Sequence, residues 1–140
     1  MNYEQILNAN GNLQSLLSHY SPIAFKICRQ QMDTTEFGFS INRDIELTGE
    51  NIKVRARSEI TTIYKELETK SIGEFLESKM VTFNLIKSSW ICKECADTVN
   101  ILCDHISFDP RLIRLYSLET KGFECLITEA FIELPFENKN

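Results

Sequence analysis

Glycine and proline are scarce, with 5 Gly and 3 Pro in 140 residues. Spread so thinly, they leave no Ser/Gly/Pro-rich linker, no low-complexity tract and no visible internal repeat. One domain, residues 1–140, is the simplest account. Basic charge is short as well. The sum of 15 Lys+Arg and 20 Asp+Glu is −5, the wrong sign for a surface that neutralises nucleic-acid phosphates. No apolar run approaches the roughly 20 residues that span a bilayer, and the opening MNYEQILNAN lacks the basic-then-apolar layout of a signal peptide. The expectation is a cytoplasmic protein with neither a membrane nor a nucleic acid as partner. Five cysteines (28, 92, 95, 103 and 125) is an odd count, at variance with a secreted disulfide framework. G-x-G-x-x-G and P-loop patterns are absent, so nucleotide binding has no motif behind it.

What is present suits a packed domain: 43% hydrophobic and 25% charged residues, close to soluble averages and enough for one core. Ile6, Leu7, Leu13, Leu16, Leu17 and Tyr20 have helical spacing in two pieces, broken at Asn10-Gly11. Ile23, Phe25 and Ile27 alternate as in a strand. In FGFSINRDIEL, period two puts Phe37, Phe39, Ile41, Ile45 and Leu47 on one face. Thr48 to Asn51 reads as a turn, with Ile52 to Ser58 returning as the hairpin partner. Ile60, Ile63, Tyr64 and Leu67 make a helical stripe over Glu59 to Thr69. A short helix is announced by the capping box Ser71 to Glu74. VTFNLI (81–86) reads as a strand, and Ile91 to Ile106 as a helix. Two final strands, Leu112 to Leu118 and Phe123 to Leu134, flank a turn at Glu119 to Gly122. Short turns between strands, with helices at the start and middle, predict an α+β class with a mainly antiparallel sheet.

One polar residue falls in the wrong register for solvent. Ile41, Arg43, Ile45 and Leu47 share a face, so alternation turns Arg43 inward, where an unpaired guanidinium is very costly. Glu129 lies between Ile127 and Phe131, and the opposite face of that strand is also mostly apolar. An inward Arg and an inward Glu admit two explanations. One is a buried structural ion pair. The other is a ligand cavity, in which Arg43 grips a carboxylate in a bidentate fork and Glu129 holds or exchanges a proton with a hydroxyl or ether oxygen. The pattern alone leaves both open.

Cys92, Cys95, Cys103 and His105 offer four potential zinc ligands. The cysteines also fall on or beside the helical apolar stripe, where a thiol packs as a small hydrophobe. Core packing is the reading preferred, with no metal assigned. His19, beside the first apolar stripe, suits a surface or capping role. Lys53, Arg55 and Arg57 alternate onto the outward face of their strand and read as a solvated face.

Three stretches carry a resemblance to a family. NRDIELTGENIKVRARSEI is similar to a hairpin with an early Arg and a small-residue strand returning. ETKSIGEFLES resembles a short helix written as a small residue, an apolar residue, Gly and then an aromatic or Leu. ECLITEAFIELPF is similar to a terminal strand with an apolar run, Glu, an apolar pair and a closing Pro. In this order they resemble the chorismate lyase family and the related UTRA ligand-binding domains of GntR-type regulators. The likeness extends from about Leu13 to Pro135. It implies helices packed on one face of the sheet and short helical flaps over an internal ligand cavity. It also implies an enzyme that eliminates pyruvate from chorismate to give 4-hydroxybenzoate without a cofactor. Arg43 then matches the residue that binds the substrate carboxylate, Glu129 the acid that meets the ring hydroxyl, and Ile72 an apolar flap residue whose backbone touches the ligand. The remaining contact falls at Pro22, which has no backbone N–H to offer. Residues 90–108 read as an insertion, and Arg111 and Arg114 correspond in part to basic residues before the last hairpin. The alternatives are a non-catalytic protein that binds small aromatic acids on the same fold, or a zinc- or thiol-dependent protein using the Cys/His set. A DNA-binding domain of the regulators' kind has no space in 140 residues.

Overall fold

Alternating apolar residues need sharp reversals to pair as hairpins, and two-residue turns supply them. The computed structural model describes residues 13–77, 79–89 and 112–133. Helix α1 is Leu13–Leu17; strands β1 (Ala24–Thr35), β2 (Gly38–Gly49) and β3 (Ile52–Thr62) follow. A 3₁₀ turn at Lys65–Glu68 leads to α2 (Ile72–Leu76), then β4 (Thr82–Ser89), β5 (Leu112–Thr120) and β6 (Phe123–Glu133). Glu36-Phe37, Glu50-Asn51 and Lys121-Gly122 close the three tight hairpins. Asn51 takes the left-handed region at φ 58° and Gly122 at φ 75°, conformations these two residues adopt at least cost. The strands form a six-stranded sheet in the order β1-β2-β3-β6-β5-β4, with every neighbouring pair antiparallel.

The helical pieces cover one face of this sheet at two places. Leu13 and Leu17 of α1 pack on Leu47, Ile52, Val54 and Phe131. Leu67 of the 3₁₀ turn and Phe75 and Leu76 of α2 pack on Ile41, Ile60, Leu118 and Phe123. Phe75 lies 5.3 Å from the Phe123 ring, centroid to centroid, and 5.1 Å from Tyr64, in tilted arrangements that suit aromatic quadrupoles. Ser71 is the N-cap of α2, where the sequence places it. Ser71 Oγ accepts from the Glu74 backbone N–H and donates to Glu74 Oε1, both at 3.1 Å.

A β-bulge at Cys28 settles which side chains of β1 face inward. Ile27 pairs with Ile45, then Arg29 with Asp44 and Gln30 with Arg43. An extra residue shifts the alternation by one. Phe25, Ile27, Gln30 and Met32 are therefore the half-buried positions, while Arg29 turns to the outer face.

Several sequence expectations need correction. The Glu59–Thr69 stripe is not a helix: β3 runs on to Thr62, and only Lys65–Glu68 turns helically. Ile60 and Thr62 are buried by period two against β6, and the run Ile60-Thr61-Thr62-Ile63 is rich in β-branched residues that prefer a strand. Phe37 does not join the inner face. It stands in the β1–β2 turn at 81% exposure. Lys53, Arg55 and Arg57 do lie on the outer face, but two of them are ion-paired. Arg57 meets Asp44 at 2.7 Å and Arg55 meets Glu46 at 3.0 Å. His19 caps the end of α1 through Nδ1, 3.0 Å from Ser15 O. The stretch before Leu13, the 91–106 helix and residue 134 lie outside the described residues.

The outer-face cluster has a consequence for acid stability. Burial opposes the charge on Asp44, but hydrogen bonds and charge from Arg57, then from Arg29 at 3.1 Å, outweigh it and lower the carboxyl below its ordinary 3.8. A depressed carboxyl stabilises the fold above its unfolded value, and that contribution is lost as pH falls through the lower folded value. The urea midpoint should therefore drop steeply below about pH 4. Asp44→Asn should lower the midpoint at pH 7 and flatten the acid limb; an acid limb of unchanged slope would show that Asp44 is not the group responsible.

Candidate functional site

Strand register brings the inward polar residues into adjoining rows. One row runs Gln30, Arg43, Ser58, Ile127 and Tyr116 across five strands; the next runs Ile45, Ala56, Glu129 and Arg114. Arg43 and Glu129 thus stand two strand spacings apart, about 9–10 Å, offset by two residues, about 7 Å, along the strands. Between them lies a recess on the helix-covered face. Leu13 and Gln14 of α1 lie on one side, Ser71, Ile72 and Gly73 at the start of α2 on the other, and Arg43, Ser58, Tyr116 and Glu129 on the sheet. It offers about 60 Å³ to the centres of water-sized molecules, several times what one water needs.

Arg43, 2% exposed, makes no ion pair with Glu129, so the simple structural pairing does not hold. Its Nε donates to Gln30 Oε1 at 2.7 Å, Nη1 to the Lys70 carbonyl at 2.9 Å, and Nη2 to the Leu67 carbonyl. Three of the five N–H groups of a guanidinium are thus spent holding the 3₁₀ turn and the entry to α2 against the sheet. Burial lowers its pKa from the ordinary value, and arginine remains charged regardless. Gln30 reaches Arg43 only because of the Cys28 bulge.

Glu129 is 4% exposed and fully engaged. Arg114 Nε donates to its Oε1 at 2.8 Å, and the Tyr116 hydroxyl donates to its Oε2 at 2.6 Å. A buried cation supplies the counter-charge, and both carboxylate oxygens act as acceptors. Burial, then the adjacent carboxylate, push the Tyr116 hydroxyl well above its ordinary value, so it stays a donor. Burial works against the charge on Arg114, yet Glu129 and Tyr116 raise it overall. The Arg114 guanidinium also lies 4.0 Å from the centroid of the Tyr116 ring, within cation–π range.

Of the residues singled out in the sequence, the recess gathers Arg43, Ile72 and Glu129. Pro22 is elsewhere. It is exposed and lies beside the β2–β3 turn, where its carbonyl approaches Gly49. Cys92, Cys95, Cys103 and His105 lie outside the described residues. Among those described, no group of three or more His, Cys, Asp or Glu is arranged to hold a metal ion. Cys28 and Cys125 are free thiols; burial pushes the Cys125 thiol far up, so it packs as a hydrophobe. Among the described residues no helix is long and apolar enough to cross a membrane.

Sequence reasoning missed Tyr116, and it gave Arg114 no partner. The signal was available: Leu112, Arg114, Tyr116 and Leu118 share a face by the same period-two argument that turned Arg43 inward. Gln30 had no such signal, since a bulge placed it, whereas Ser58 follows Ile52, Val54 and Ala56 onto the inward face by alternation. No family model, curated protein or solved structure matches the chain significantly. The chemistry therefore rests on the residues themselves.

Proposed function

We propose that the recess is a ligand cavity for a small ring acid. The protein is a cytoplasmic, chorismate lyase-like enzyme that eliminates pyruvate from chorismate and releases 4-hydroxybenzoate. The observation that carries this reading is the convergence on one recess of Arg43, Ile72 and Glu129, the residues the resemblance names for ligand contact. An anion-binding group and an acceptor group at opposite ends, with apolar walls between, suit a single ring bearing a carboxylate and a hydroxyl.

In this reading the guanidinium N–H groups of Arg43 not used by the fold anchor the ring carboxylate. The Glu129 carboxylate accepts from the ring hydroxyl and orients the ring. Ile72 and Leu13 cover the substrate and keep water out. The reaction breaks the ring carbon–oxygen bond of the enolpyruvyl ether, and the hydrogen lost from the adjacent hydroxyl-bearing ring carbon ends on the departing enolpyruvate, which becomes pyruvate. It makes the ring aromatic, so the driving force lies in the substrate and no electron carrier is consumed. A second reading, a binding protein without turnover, draws support from a specific observation: Arg43, Tyr116 and Glu129 already hydrogen-bond within the protein.

Incubation of the protein with chorismate, following 4-hydroxybenzoate and pyruvate together, tests the reading. Equimolar formation of both products above the uncatalysed rate is expected, with a loss of at least about 100-fold in Arg43→Ala. Saturable binding of 4-hydroxybenzoate without product would favour the binding protein. Neither product nor binding would refute both.

A further inference from the structure

The hydrogen atoms that Glu129 and Tyr116 share at one end of the recess can be traced. Glu129 presents only acceptor oxygens. Arg114 Nε–H is directed at Oε1, and the single Tyr116 O–H is directed at Oε2. Tyr116 therefore turns toward the recess only the lone pairs of its oxygen. Both lining groups at this end, Tyr116 and Glu129, are then acceptors without a spare proton. The Arg114 guanidinium against the Tyr116 ring, and a ring 2% exposed, keep that arrangement from turning over. A ligand atom arriving here meets two acceptors. An incoming O–H or N–H is welcomed by both, while an ether, halogen or second carboxylate leaves its own lone pairs facing theirs.

We infer that Tyr116, by committing its proton to Glu129, is the specificity-determining residue that makes this end of the recess demand a hydrogen-bond donor from the ligand. This rests on the proposed small-acid site and deepens it, because it assigns the discrimination to a residue outside those the resemblance names.

Calorimetric titration of the full chain with benzoates that differ only at the para position tests this. 4-Hydroxybenzoate and 4-aminobenzoate carry a donor; 4-fluorobenzoate is of similar size and carries none. The wild type should bind the two donors at least about tenfold more tightly than the fluoro compound. Tyr116→Phe should narrow the ratio by about 3–5-fold, because the donor ligands lose one of two acceptors while the affinity for 4-fluorobenzoate changes little. Equal binding of all three by the wild type would overturn the inference and leave the small-acid site standing. An unchanged ratio in a folded Tyr116→Phe would overturn the role given to that residue. Binding of none of them would overturn the site and the inference together. If Tyr116→Phe does not fold, the wild-type ratio alone still decides whether the end demands a donor.

Discussion

Replacing Glu129 by Gln is expected to cost about 3–5 kcal/mol of stability, because the Arg114 guanidinium is then buried without its anion. Arg114 is 0% exposed, and its contact with Glu129 is charge-assisted at 2.8 Å. Taking away both charges is a different matter. Pairs of this kind are often replaced at little cost by apolar residues of similar volume, since desolvation offsets most of the Coulomb attraction. Glu129→Leu and Arg114→Met should each destabilise strongly, and the two together should recover a large part of the loss. Urea unfolding of the single and double variants measures this. Additive losses would show that the two charges do not interact in the folded protein. Turnover or hydroxybenzoate binding should be lost in all variants lacking the carboxylate, including the restabilised one, which separates the ligand role from the structural one.

Arg43→Ala carries the second large effect, for a different reason. Its side chain ties three separate chain segments together: Gln30 on β1, the Leu67 carbonyl in the 3₁₀ turn and the Lys70 carbonyl before α2. Hydrogen bonds from a charged donor contribute about 1.5–3 kcal/mol each. Contributions of hydrogen bonds from one side chain are not additive, so an overall cost of roughly 3 kcal/mol is expected. For a chain of this size that lowers Tm by about 10 °C. The damage should be local first. Amide exchange of residues 67–76 should speed up while that of Val54 and Phe131, under α1, stays slow. Arg43→Lys should recover little, because an ammonium cannot reach three acceptors in one plane. Uniform acceleration across the sheet would mean that Arg43 supports the whole fold and not the cover of the recess.

Three local signals in the sequence carried most of the sheet. Period-two alternation marked β1, β2, β3 and β6, and β5 was read as the partner of β6 across its turn. Turn chemistry at Thr48–Asn51 and Glu119–Gly122 joined them, and the Ser71 capping box announced α2. The same alternation turned Arg43 and Glu129 inward, and the structure buries both. Three features escaped because they depend on neighbours distant in sequence. The strand character of Ile60 to Thr62 comes from pairing with β6, which outweighs a spacing that also fits a helix. The inward turn of Gln30 comes from a one-residue bulge that no periodicity marks. The partner of Glu129 was sought in Arg43, the inward cation already in view. Cross-strand register gives it to Arg114, directly opposite on β5. Alternation says which face a side chain takes, and register says whom it meets there.

The central claim is that the recess between Arg43 and Glu129 holds a small hydroxylated acid. The most direct test follows backbone amide shifts of the isotopically labelled protein during titration with 4-hydroxybenzoate. The account predicts saturable shifts concentrated at Ala56, Ser58, Ile72, Gly73 and Ile127, the residues around the recess, with Arg43→Lys weakening them at least about tenfold. Shifts confined to the β1–β2 turn or the outer face, or no saturation at millimolar ligand, would contradict it.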